Sequence, residues 1–395
     1  MEGEGKATRS TIGHHISLNG PILGQDGVLL SYYEKVISPM ISTTQVQNGF
    51  SSTLLPMALS SRDAPALALL NAMMAVSMIH HSTSAADAMT FKSNAVRSLS
   101  NSLRTSPASA PTIEVQLAAV MMLCVYDVFD REEGNWHIHL SGAKEIVRRQ
   151  CFTDKHDRGL DFLLTWWLYH DVLAAFNKPS WGERDQSSGS NSASILRTFK
   201  GDKSLIVGSL GCSVEVLETI DECNWMRLPP SQRRASTSLT QRRHDLETKL
   251  RYMRQRLDPI ECSDSSRERR ILAIAELYRL ATFLYLYRVH PFPEDGITRC
   301  IYVQQALKIL EDLEVATSPW PIFVIACEVG DQERVNILHT LDLMDNVRNI
   351  GNIKVLRDIV ESIWKQQDLR NTSHTGQRMD WLQFVECDVP VPWFI

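Results

Sequence analysis

Apolar positions recur along most of this chain at three- and four-residue spacing, the period of an amphipathic helix. Leu246, Leu250, Met253 and Leu257 share one such stripe, and Val303, Ala306, Leu307, Leu310 and Leu313 another. Ile353, Leu356, Val360, Ile363 and Trp364 repeat it after Gly351 and Asn352, residues that suit a helix start. The windows 66–106, 231–258, 261–290, 331–350 and 352–375 hold neither glycine nor proline, so nothing in them interrupts a helix. Two segments, 116–126 and 271–287, are apolar on more than one face and predict helices enclosed by other helices. No run combines sustained two-residue alternation with flanking hairpin turns, so no substantial sheet is expected. The pattern predicts an all-α fold, a large multi-helix domain of packed layers.

Breaks fall at 1–25, 104–112, 183–203 and 227–243, with Ser187 to Ser194 richest in Ser, Gly and Asn. The helical pattern resumes beyond each internal break without a shift in composition. A flexible segment 1–26 followed by one domain over 27–390 is therefore expected. No repeat of fixed period points to a solenoid.

Charge narrows the function classes. With 41 basic and 46 acidic side chains the net charge is −5, which excludes a nucleic-acid binder that works by bulk positive charge. The eight cysteines stand singly, with no C-x-x-C pair, and read as reduced thiols, mostly buried. No uninterrupted apolar run approaches membrane-spanning length and the first twenty residues carry no apolar signal core, so an intracellular soluble protein is expected, without a membrane partner.

Several constellations could carry chemistry, each weakly. Asp127, Asp130, Glu132 and Glu133 close the 116–126 segment in a pattern that could hold Mg²⁺ for prenyl-diphosphate chemistry, with Asp342, Asp345 and Asn346 as the nearest second run. An acidic helix end explains the cluster as well. The histidine pairs His14-His15, His80-His81 and His137/His139 have the wrong spacing for a helical zinc site, and no metal is expected. Ser209 and Cys212, in Gly208-Ser-Leu-Gly211-Cys212, lack the strand-turn-helix context of a nucleophile. Gly3 to Thr8 resembles a phosphate loop only superficially. The segment Arg227 to Arg256 is the one basic stretch, readable as an anion surface, as an import signal, as a kinase site at Arg233-Arg234-Ala235-Ser236, or as a solvated helix face. The tryptophans read as packing residues, or alternatively as walls of a ligand pocket.

Read in order, several blocks resemble the fungal-specific transcription factor domain, the helical regulatory region that usually follows a six-cysteine zinc cluster. They are Ala66 to His80, Phe91 to Leu103, Leu117 to Leu123 leading into Asn135-Trp136-His-Ile-His139-Leu140-Ser-Gly142-Ala143, and Leu210-Gly211-Cys212-Ser213. Leu277 to Arg288, Pro319-Trp320-Pro321 through Glu328, Arg334, and Val360 to Trp364 continue the series over roughly residues 27 to 390. Trp136, His139, Leu140, Gly142, Ala143, Trp320, Pro321 and Trp364 are the signature residues, and their expected role is architectural. Gly142 and Ala143 would let a neighbouring helix approach beside the Trp136 indole, and Trp320-Pro321 suits a helix beginning.

The resemblance implies a nuclear transcriptional regulator of a metabolic or secondary-metabolite pathway. The first cysteine is Cys124, so the family's zinc-cluster cysteines are not found and no cofactor is expected. The expected partners are a DNA-bound protein or a second copy, with a small-molecule effector as a further candidate and DNA reached only indirectly. The alternative is an all-α enzyme on the same scaffold, acting on a small hydrophobic substrate.

Overall fold

Each uninterrupted window becomes one helix or a pair of helices. The computed structural model describes residues 25–81, 85–105, 109–130, 135–149, 158–177, 195–196, 199, 201–233, 238–262, 264–371, 381–386 and 394. The helices are α1 (Gln25–Tyr32), α2 (Ala64–His81), α3 (Ala85–Thr105), α4 (Ala110–Phe129), α5 (Trp136–Arg149), α6 (Arg158–Asn177) and α7 (Val214–Arg227). They continue as α8 (Leu239–Tyr252), α9 (Ser265–Val289), α10 (Asp295–Asp312), α11 (Pro319–Glu328), α12 (Arg334–Arg348), α13 (Gly351–Asn371) and α14 (Trp381–Glu386). A π-helical turn, Tyr33–Ile37, extends α1, and short helices Gly49–Ser52 and Leu54–Leu59 precede α2. The fold is all-α among the described residues apart from one two-stranded hairpin.

The segment predicted to be apolar all round is α4, whose residues Gln116 through Phe129 are all buried. It is covered by α2, α3, α5, α6 and α13, so it joins the first half of the chain to the last. Alanines at 68, 72 and 75 on α2 and at 118 and 119 on α4 are buried, which lets these helices lie close. Gln116 donates from its amide to Ser102 Oγ on α3 at 2.8 Å, satisfying the polar atom that this burial would strand. The second all-round segment is α9, which packs on α7, α8, α10 and α11 and is buried without interruption from Leu280 to Tyr287. Asp264 caps it by accepting from Ser266 N (2.9 Å) and Arg267 N (3.3 Å), a contribution of about 1 kcal/mol.

No apolar run is uninterrupted over membrane-spanning length, but two helices are long and apolar enough on average to cross a membrane. They are α2 and α4, and 61% and 78% of those windows are buried inside the fold. Their apolarity is accounted for by packing.

The stripe through Met253 and Leu257 outruns its helix. At Tyr252 the chain leaves α8 and extends, because Arg256 exchanges main-chain bonds with the neighbouring segment: Ile206 N donates to Arg256 O (2.8 Å) and Arg256 N to Ser204 O (2.9 Å). That segment forms the hairpin, β1 (Ile206–Val207) antiparallel to β2 (Cys212–Ser213), with Ile206 opposite Ser213 and Val207 opposite Cys212. Gly208 to Gly211 make the turn. Gly211 has φ +75°, the left-handed region that favours glycine.

Candidate functional site

The block around Trp136 builds an ion cluster. Asp127, near the end of α4, is buried between Lys92 Nζ on α3 (2.9 Å) and His139 Nε2 on α5 (3.4 Å). Lys92 also lies over the Tyr126 ring at 4.8 Å, and Cys124 Sγ donates to Trp136 O at 3.7 Å. Burial holds the His139 imidazole below its ordinary value, although Asp127 pulls the other way. Leu140 and Ala143 are buried against this cluster's helices, while Gly142 is exposed. A Cβ on Gly142 would sit 3.9 Å from Val120 Cγ1, an ordinary contact. The close approach therefore belongs to Ala143, and Gly142 is not required for it.

This geometry does not assemble the diphosphate site. Lys92 neutralises Asp127, Asp342 pairs with Arg357 elsewhere, and Glu132 and Glu133 lie outside the described residues. Among the described residues no three His, Cys, Asp or Glu side chains come together as metal ligands. His80 bonds Tyr32 Oη (2.8 Å) and Arg348 O (2.9 Å), and His81 packs on the Tyr32 ring at 4.6 Å. His14, His15, Gly3 to Thr8 and Ser187 to Ser194 lie outside the described residues.

The later blocks converge on Glu328. Pro319 and Pro321 occupy the first turn of α11, where a missing N–H costs nothing, and Trp320 stacks on Tyr278 at 5.9 Å. At the other end of α11 the Glu328 carboxylate is buried, accepts from Arg288 Nε (2.9 Å) and Nη2 (2.8 Å), pairs with Arg299, and accepts from Trp381 Nε1 (2.6 Å). Trp364 donates from its indole to Ala326 O at 2.8 Å and carries Arg334 over its ring at 5.3 Å.

The basic stretch is largely consumed by internal pairing. Arg227 donates to Phe176 O and Tyr285 Oη, Arg242 pairs with Glu222, Lys249 with Glu218, Arg251 with Glu247 and Arg256 with Asp202. Arg243 is buried, 2.6 Å from Asp295 Oδ1 and stacked on Phe292 at 3.9 Å. Arg234 and Ser236 of the kinase-type motif lie outside the described residues.

A cavity of about 30 Å³ lies where the two halves of the chain meet. Its walls come from the strap Met40 to Thr43, from Trp166, Tyr169 and His170 on α6, from the hairpin turn Gly208 to Gly211, from Tyr278 on α9, and from Thr317, Ser318 and Arg348. The strap is held down by Thr43, whose N and Oγ1 both donate to Gly208 O at 2.9 Å. Farther along, Glu261 accepts from Val46 N (2.9 Å) and Gln47 N (2.8 Å). The hydroxyls of Tyr169 and Tyr278 meet at 2.6 Å. Arg348 ends α12, is 3% exposed, and donates from Nη1 to Thr317 O (2.7 Å) and from Nη2 to Met40 O (3.1 Å). Burial pushes its guanidinium down to about 10, still protonated at neutral pH. His170 is buried and held well below its ordinary value by desolvation.

Ser209 and Cys212, the nucleophile candidates, belong to this cavity's hairpin. Burial pushes the Cys212 thiol up, away from the reactive thiolate. Arg348, Tyr169 and Thr317 were not singled out by sequence. Only the left-handed Asn349 (φ 50°), which caps α12 directly after Arg348, leaves a local trace.

The fold is an all-α domain in which the blocks of the first and second halves meet around a small polar cavity. The family described as "Fungal specific transcription factor domain" matches residues 28–394, and the chain belongs to it. The chain is also similar to the transcription factor iacI of Pestalotiopsis fici, 26% identical over 353 residues, covering 87% of this chain and 88% of that protein. No solved structure matches. The chain is a transcriptional regulator by family.

Proposed function

We propose that this chain regulates a fungal metabolic or secondary-metabolite pathway from the nucleus, as a non-enzymatic helical effector domain that reaches DNA through a protein partner or a second copy and answers to a small-molecule effector. The observation that carries the indirect route is the pairing of the basic stretch. Arg227, Arg242, Arg243, Lys249, Arg251 and Arg256 are each engaged by an internal acceptor, in a chain of net charge −5. Phosphate contacts supply most of the affinity of DNA binding, so a domain that spends its cations internally has little to offer the backbone. The engagement of Asp127 by Lys92 likewise supports a structural role over metal-assisted turnover.

The chain fused to an unrelated DNA-binding domain should change output from a promoter carrying that domain's sites. The chain alone should not shift promoter DNA at physiological salt. Tight, salt-sensitive DNA binding by the unfused chain would overturn the indirect route, and a silent tethered fusion would overturn the regulatory role.

A further inference from the structure

We infer that the outer face of α3 is a docking groove for one acidic amphipathic helix of a partner protein. As the surface through which the domain reaches its partner, it rests on the regulatory reading above. A repeat, a shape and a charge pattern on that face support it.

The repeat is apolar. Met89, Val96 and Leu103 are 37%, 42% and 53% exposed and stand seven residues apart, so they line up as one ridge about 21 Å long. Among the described residues no other helix exposes three large apolar side chains. The opposite face of α3, with Ala88, Ala95 and Leu99, is spent on the core. The ridge is therefore not needed to hold α3 in place.

The shape is a trough. Ser93 and Ser100 run beside the ridge with the same seven-residue spacing, and Arg97 and Arg104 run beyond them, all four exposed. A line of small side chains between two lines of large ones leaves a groove of about 790 Å³. In heptad terms the serines hold a positions, the apolar ridge d positions and the arginines e positions. A second helix laid along this seam would set its own large apolar side chains over the serines, where there is room for them.

The charge selects the occupant. The charged side chains that line the groove are Lys92, Arg97 and Arg104, and no carboxylate lines it. Lys92 is turned to Asp127, whereas Arg97 donates to Asn94 Oδ1 at 3.0 Å and neither it nor Arg104 joins an ion pair among the described residues. This contrasts with the stretch from Arg227 to Arg256, whose cations are largely paired internally. A second copy of the chain fits poorly. Laid antiparallel about Val96, two α3 helices would bring Arg97 against Arg97 of the other copy, and laid parallel they would bring it against Lys92, a repulsion in either case. A helix with Glu or Asp at the flanking positions meets both guanidinium groups instead. A bilayer is a poorer match as well, because Phe91, the one aromatic residue of α3, packs on the core and is not presented for insertion.

The test uses a fluorescent peptide of about three heptads with Leu at a and d and Glu at e and g, and a twin in which every Glu is Lys. Anisotropy against the full chain should give the Glu peptide a dissociation constant of about 10 μM, weakened about fivefold between roughly 0.05 and 0.3 M salt, and should show no saturable binding of the Lys peptide. The double variant Arg97→Glu/Arg104→Glu should bind the Glu peptide about tenfold more weakly and should acquire binding of the Lys peptide, with a melting temperature within about 2 °C of the parent's. That exchange of partners is a result that neither misfolding nor a packing role produces. Val96→Ser should weaken the Glu peptide by about tenfold without creating affinity for its twin.

Failure of the Glu peptide to bind, equal binding of the two peptides, or unchanged affinity in the double variant would each overturn the assignment. A dimer in sedimentation velocity that Val96→Ser dissociates would overturn it in favour of a second copy. Binding of phosphatidylserine vesicles in preference to the peptide would overturn it in favour of a membrane. The tethered reporter separates the two readings. Peptide binding with a silent reporter removes the regulatory role and keeps the groove. An active reporter without peptide binding does the reverse.

Discussion

Glu328 and Arg348 are both buried charges at helix ends, and the two surroundings are built differently. The Glu328 carboxylate is gripped by two guanidinium groups and an indole N–H, drawn from α9, α10 and α14. Arg348 donates to the main-chain carbonyls of Thr317 and Met40 and borders a cavity where two hydroxyls lack partners. A carboxylate met by formal charges and filled sites has one arrangement, so it locks the C-terminal helices together. The Arg348 guanidinium donates to main-chain carbonyls and so ties the end of α12 to the strap and to Thr317. The same cost of charge burial is met by side-chain ion pairing in one place and by main-chain carbonyls beside a small cavity in the other.

Glu328→Ala should have the largest effect, because it leaves the half-buried guanidinium groups of Arg288 and Arg299 without the buried carboxylate they share. A loss of about 3–5 kcal/mol is expected, read as a lower denaturant midpoint in equilibrium unfolding. A midpoint shift below about 1 kcal/mol would show that Glu328 is not the fastener.

Arg348→Met should cost less, about 2 kcal/mol, since it strands the Thr317 and Met40 carbonyls but replaces a desolvated charge by an apolar chain of similar length. If Arg348→Met proves as damaging as Glu328→Ala, the contrast between the two sites collapses.

The third prediction concerns pH. His170, on the cavity wall, and His139, in the Asp127 cluster, are both held below the ordinary value of 6.5 in the folded chain, by burial first. The unfolded chain therefore binds more protons than the folded chain as pH falls toward and below 6.5, and stability rises with pH across that window. Lowering the pH from about 7.5 to about 5.5 should remove on the order of 1–2 kcal/mol. His170→Gln should flatten that dependence more than His139→Gln, because desolvation holds His170 well below its ordinary value while Asp127 offsets part of the burial of His139. Equal acid sensitivity in wild type and both variants would exclude the histidines as its source.

What the sequence made legible divides along the same line as the two sites. The helices with one apolar stripe or two could be read, since residues such as Leu246 and Leu250, or Gln116 through Phe129, meet neighbours dictated by a 3.6-residue period. The ordered blocks identified the family, and Glu328 and Arg288 sat inside them before their pairing was known. The cavity could not be read, because its donors come from positions 209, 317 and 348, which no period links. Residues far apart in sequence acquire a shared chemistry only when the fold closes around them. The end of α8 was misjudged for a related reason, as tertiary bonding to Ser204 and Ile206 overrode the local stripe at Met253.

The smallest expected effect tests whether the hydroxyls beside the cavity belong to the fold's own bonding. Thr317→Val keeps the side chain's shape and removes a buried hydroxyl that has no partner among the described residues, and Ser209→Ala does the same in the hairpin turn. In an ordinary core a hydroxyl is retained because its bond is made, and deleting it costs about 1 kcal/mol. Here each single substitution should change stability by less than about 0.5 kcal/mol, because no bond within the protein is lost and the hydroxyl borders water-sized space. Tyr169→Phe is the matched control: it removes a hydroxyl that is bonded, to Tyr278 at 2.6 Å, and should cost about 1 kcal/mol. Differential scanning calorimetry on the three single variants decides the matter. If Ser209→Ala and Thr317→Val destabilise as Tyr169→Phe does, their hydroxyls are part of the folded state's own bonding and the cavity is simply another fastener. If they leave stability unchanged or raise it, the two hydroxyls stand outside the folded state's own bonding and are carried at no gain to its stability.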